Sequence, residues 1–144
     1  MRDPHQEVPN IMRVPMSVAA AAIVAMASLA LTAPASGHQT VSDHGVAVTL
    51  HVLPDDEPVA GQPATIVAIR IRPPAGGRFR FGSCGCRIKV GTATGRVLMN
   101  KRTAKRTSFV FPDPAAYEIT YSGSYRARSG ATKRFSAVFA IRAS

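Results

Sequence analysis

The strongest constraint on this chain is an alternation. Val46, Val48, Leu50 and Val52 are separated by Ala47, Thr49, His51 and Leu53. A period of two places one set of side chains on one face of a strand and the other set on the opposite face. The pattern recurs. Val67, Ile69 and Ile71 oppose Arg70 and Arg72, and Phe79 and Phe81 interleave with Arg78 and Arg80. Cys86, Ile88 and Val90 oppose Arg87 and Lys89, and Phe109 and Phe111 share a parity. Tyr117, Ile119 and Tyr121 oppose Glu118, Thr120 and Ser122, and the last run carries Phe135, Ala137, Phe139 and Ile141. Turn-forming residues punctuate the runs at Pro54–Pro58, Gly61-Gln62-Pro63, Pro73–Gly77, Gly91–Gly95 and Pro112-Asp113-Pro114. No segment after residue 40 shows a helical period. Short strands recurring at roughly ten-residue intervals predict an all-β sandwich of about seven strands over residues 46–144.

Ahead of the strands lies an apolar, Ala-rich run from Val18 to Thr32, preceded by Arg13 and followed by Ala33-Pro34-Ala35-Ser36-Gly37. A positive charge, an apolar core and a small-residue exit make a secretory signal peptide over residues 1–37. The run is shorter than the roughly 20 residues a spanning helix needs. Met12-Arg13 makes a compact start, and cleavage after Ala35 or Gly37 is expected. The second choice leaves His38 first, residues 38–45 as an arm and no transmembrane segment in the mature chain. The expected location is secreted, periplasmic or in the cell envelope. Removing residues 1–37 takes away Arg2, Arg13, Asp3 and Glu7, so the net charge of +10 is unchanged.

The stretch Pro112-Asp113-Pro114-Ala115-Ala116-Tyr117-Glu118-Ile119-Thr120-Tyr121-Ser122-Gly123 resembles the turn and penultimate strand of immunoglobulin-like domains. In those domains a Tyr at the start of that strand forms the tyrosine corner, and Tyr117 fills the place. The layout from Leu50-His51-Val52-Leu53-Pro54 through Gly61-Gln62-Pro63 is similar to small secreted bacterial domains of the YtkA-like and CopC-like group. The resemblance spans about residues 44–142. It implies an immunoglobulin-like sandwich and, from the CopC-like members, copper binding through a mature N-terminal His and a later Asp-x-His. His38 matches the first element. No Asp-x-His occurs after residue 44.

Gly82-Ser83-Cys84-Gly85-Cys86-Arg87 holds the two cysteines. On a strand, residues i and i+2 stand about 6.5–7 Å apart with parallel side chains, too far for a disulfide. A bond between them needs a turn, which Gly85 permits. Three readings stand open. The first is a local disulfide, or two small residues continuing the Ile88/Val90 face, as export favours oxidised thiols. The second is a soft-metal site, suited to copper, with Cys84 and Cys86 as thiolates and His38 and His44 from the arm. His51 and Met99 are the remaining ligand types available. The third is a redox or intermolecular-disulfide role. The mixed site requires the arm and the cysteines to lie at the same end of the sandwich.

His51 has solvent parity and is expected to be exposed. The basic residues fall in stripes, and Lys101, Arg102, Lys105 and Arg106 cluster in one loop. Such a loop suits an anionic envelope polymer or lipid headgroups. Nucleic acid is not an expected partner, because Phe79 and Phe81 have core parity rather than standing free to stack on bases. The acidic residues sit mostly in turns, and no nucleophile elbow, zinc-protease motif or phosphate loop occurs. The sequence therefore predicts a monomeric, exported, non-enzymatic binding module, with copper as the candidate ion. The alternative is a domain docking on anionic envelope components.

Overall fold

The computed structural model describes residues 38–103 and 105–144. The expected signal peptide lies outside the described residues. Eight strands follow one another as β1 (Gln39–Asp43), β2 (Val46–Leu53), β3 (Pro63–Arg72), β4 (Arg87–Thr92), β5 (Val97–Arg102), β6 (Arg106–Val110), β7 (Ala116–Arg126) and β8 (Thr132–Arg142). They form two four-stranded sheets, in the orders β1-β2-β3-β6 and β5-β4-β7-β8. Every pairing is antiparallel. The chain crosses between sheets after β3, returns after β5, and crosses again after β6. This is the all-β sandwich that the alternation predicts.

The inner faces carry that alternation. Val46, Val48, Leu50 and Val52 of β2 are buried, as are Ile88, Val90, Phe111, Ile119, Tyr121, Phe135 and Phe139. Tyr117 is buried too, and its hydroxyl donates to the Asp113 carbonyl at 2.7 Å, closing the tyrosine corner. Phe79 and Phe81 pack partly buried against the same core.

On β3 the expected face is wrong. Val48 pairs with Ile71 and Thr49 with Arg70, but Leu50 pairs with Ala68. Ile69 is therefore an extra residue, a bulge that reverses the parity of what precedes it. Ala64, Ile66 and Ala68 face the core, while Ile69 is 37% exposed.

Residues 38–45, expected as a free arm, supply a strand. β1 pairs with β2 along its length, from Asp43–Val46 to Gln39–Leu50. The connection is the two residues His44 and Gly45, with φ of 47° and 80°. Positive φ at both positions makes the tight hairpin turn whose twist matches its strands. β1 also meets β8 of the other sheet. The Asp43 carboxylate accepts from the Ser136 amide at 2.7 Å, and Gln39 Nε2 donates to the Ala140 carbonyl at 3.0 Å.

Candidate metal centre

The β1–β2 hairpin decides which histidines can meet. Its pairing adds one step beyond Gln39–Leu50, and that step sets His38 across from His51. The two imidazoles stack with ring centroids 4.7 Å apart and planes 15° from parallel. His51 is therefore only 18% exposed at its side chain, not the free surface residue that its parity suggests.

Asp56 completes the group. It lies just beyond β2, where the chain turns back. The Asp56 amide donates to the Val52 carbonyl, and the Val52 amide donates to Asp56 Oδ1, both at 2.6 Å. This closed ring fixes the carboxylate beside the end of β2. Asp56 Oδ2 then accepts from the His38 backbone N–H at 2.9 Å and lies 2.6 Å from His51 Nδ1. Burial pushes the Asp56 carboxyl upward, but the Val52 and His38 amides and the His51 ring outweigh it, holding it below the ordinary carboxylate range.

One ligand atom from each of His38, His51 and Asp56 lies within 4.8 Å of the other two. The donor set is two imidazoles and a carboxylate, which fits a borderline divalent ion such as Cu(II) or Zn(II). In the neutral His51 ring with its hydrogen on Nδ1, facing Asp56 Oδ2, Nε2 is the nitrogen left to ligate. Carboxylates commonly orient metal-binding histidines in this way.

The expected mixed site with the cysteines is not assembled. Cys84 and Cys86 are joined in a disulfide, so neither sulfur is a thiolate ligand. The strand that carries Ile88 and Val90 begins only at Arg87, so neither cysteine is part of it. Before it, Gly85 takes φ +56°, and the turn brings the two Cα atoms to 5.0 Å. Both cysteines are 3% exposed. A Cβ on Gly123 would come within 2.8 Å of Cys86 Sγ, so the bridge seats on a position that only glycine leaves open.

His44 is also separated from His38. They flank β1 at its two ends. His44 Nδ1 lies 2.7 Å from Asp43 Oδ1, and both residues line a pocket with Cys84 and Gly85. The cysteines thus sit at the His44 end of β1, and the His38 end holds the metal-ligand group. Met99 is half-buried and packs against the core from β5.

The four residues expected to meet an anionic partner stay together. Lys101 and Arg102 end β5, Arg106 opens β6, and Lys105 precedes it; all four are exposed. Lys105 Nζ lies 5.8 Å from the centre of the Phe81 ring. Thr103 Oγ1 donates to the Arg106 carbonyl at 3.0 Å and pins the turn.

Compared with known protein families, with curated proteins and with solved structures, the chain has no significant match.

Proposed function

We propose that this protein is an exported, non-enzymatic metal-binding module whose centre is His38, His51 and Asp56, with Cu(II) as its ion. The observation that carries the reading is the convergence of three ligand-type side chains within 4.8 Å, brought together by the β1–β2 hairpin and the turn that follows it. The chemistry of the set favours a nitrogen-preferring ion over the soft Cu(I) that paired thiolates would select. If secretion removes residues 1–37, His38 also offers its α-amine, and one residue then chelates through two nitrogens. The proposed resemblance to CopC-like domains agrees with a leading His, while Asp56 and His51 take the part of the Asp-x-His that the sequence lacks.

The test is a copper titration of protein recovered from the medium or periplasm, with the N-terminus read by mass spectrometry. One Cu(II) should bind per chain, with nitrogen hyperfine splitting in the electron paramagnetic resonance spectrum. His51→Ala should abolish that signal, and Asp56→Asn should weaken binding by about 10–100-fold. Unchanged binding in His51→Ala would remove the site.

A second reading rests on the exposed Lys101, Arg102, Lys105 and Arg106 turn. Four cations held side by side favour docking on an anionic envelope polymer. Replacing all four by Gln should lower the salt needed to elute the protein from such a polymer. Elution at the wild-type salt concentration would exclude the turn.

A further inference from the structure

A separate feature lies where Arg78 and Arg126 face each other. Their backbones form an isolated antiparallel bridge, with N–H to carbonyl distances of 2.7 and 2.9 Å in the two directions. Residues paired in this way project their side chains from the same face, and like charges directly opposite are destabilising. Arg126 is paired on its other side with Thr132 of β8, so Arg78, Arg126 and Thr132 form one row across the sheet. Arg80 follows Arg78 with the same parity. The next pair of β7 and β8 on the same face is Ser124 with Arg134.

Arg78, Arg80, Arg126, Ser83, Ser124 and Thr132 line a pocket of about 410 Å³. Among the described residues no carboxylate pairs with these cations. Among the described residues the two ion pairs both join a histidine to an aspartate. Arg126 Nη1 donates to the Gly130 carbonyl at 2.7 Å, which fixes that guanidinium while leaving its other donors free. Neither the Arg78 nor the Arg80 side chain has a hydrogen-bond partner among the described residues. The fold therefore holds three guanidinium groups around a concave surface rimmed with hydroxyls.

We infer that this pocket binds a tetrahedral oxyanion of the phosphate class. Planar guanidinium forks match such oxygens two at a time, and hydroxyls donate to those that remain. A bound dianion also relieves the repulsion between Arg78 and Arg126. The group can reach the pocket as free inorganic phosphate or as the headgroup of an anionic lipid, and the two sources share this chemistry.

The test uses chelator-treated protein, so that phosphate meets no metal. Inorganic phosphate is titrated by calorimetry and by amide chemical shifts, with chloride at equal ionic strength as control. Saturable binding is expected, with the largest shifts at Arg78, Arg126 and Thr132. The double variant Arg78→Gln/Arg126→Gln should weaken binding by about tenfold or more, since each lost charge-assisted bond is a sizeable term. Arg78→Lys/Arg126→Lys keeps the charge but not the fork, and should also bind more weakly than wild type. The bridge itself is made by main-chain atoms, and a melting temperature no lower than that of wild type shows that each variant folds. Flotation with phosphatidylglycerol vesicles separates the sources: sensitivity to the double variant there, without binding of free phosphate, assigns the group to a lipid headgroup. Equal behaviour of wild type and double variant in both arms, or no binding in either, overturns the inference.

Discussion

Replacing Asp56 by alanine removes the acceptor on which the proposed centre is built, and the structure sets the size of the loss. Three donors lose a partner. The Val52 amide is the costly one, because Val52 is 1% exposed and water does not readily replace the carboxylate oxygen 2.6 Å away. Leaving such a donor unpaired costs about 1–3 kcal/mol. The His51 ring is half-buried, and its loss adds about 0.5–1.5 kcal/mol. The His38 amide belongs to an exposed residue, and water takes over most of its bond. The total is about 2–4 kcal/mol, which for a domain of this size lowers the melting temperature by roughly 10–25 °C. The sign with pH also follows. The carboxyl sits below its unfolded value, so its contribution is complete above the ordinary carboxylate range and fades as pH falls through the folded value. Urea unfolding of wild type and Asp56→Ala, followed by circular dichroism between pH 7 and pH 2, measures both effects. A difference under about 0.5 kcal/mol at pH 7 would refute the reasoning. So would a difference that grows as the pH falls.

Two further substitutions test the fold. Tyr117→Phe keeps the ring but removes a hydroxyl that donates to the Asp113 carbonyl at 2.7 Å and accepts from its amide at 3.1 Å. Urea unfolding should show a loss of about 1–3 kcal/mol; no loss would mean that the corner contributes nothing. Phe139→Ala empties a site that is 1% exposed between Ile119 and the opposite sheet. It should cost about 3–5 kcal/mol by the same assay, and a loss under about 1 kcal/mol would place Phe139 outside the core.

Most of the fold is legible because burial leaves a period of two in the sequence. The failure on β3 has a definite cause. The bulged residue, Ile69, is as apolar as Val67 and Ile71, so the alternation runs unbroken in the sequence across the point where the parity turns over. β1 escaped for the opposite reason. Gln39, Thr40, Val41, Ser42 and Asp43 contain one large apolar residue, and the strand is held by backbone pairing and polar bonds to β8 rather than by a buried stripe. The centre was hidden with it, since His51 looks like a lone surface histidine until His38 lies across from it. A signal was present. His44-Gly45 suits a two-residue hairpin turn, and folding the sequence about it pairs residue 38 with residue 51. Asp56 carries no such mark, because its position depends on a closed ring with Val52 that alternation does not encode.

The hairpin register has one further consequence. His38 and His44 lie at opposite ends of β1, so the strand spans from the metal-ligand group to the turn beside the disulfide. At the His44 end, the buried Cys84–Cys86 bridge, the seat on Gly123 and the Asp43–Ser136 bond are all made by the protein alone. At the His38 end, the ties are the Gln39 side-chain bond to the Ala140 carbonyl, one amide bond to Asp56 and the stack on His51. In the proposed centre, an ion shared by His38 and His51 adds a further fastening, and its binding free energy stabilises the paired state of β1. The Asp43–Ser136 bond fixes the far end, so that metal binding has only the residues at the His38 end of β1 to order.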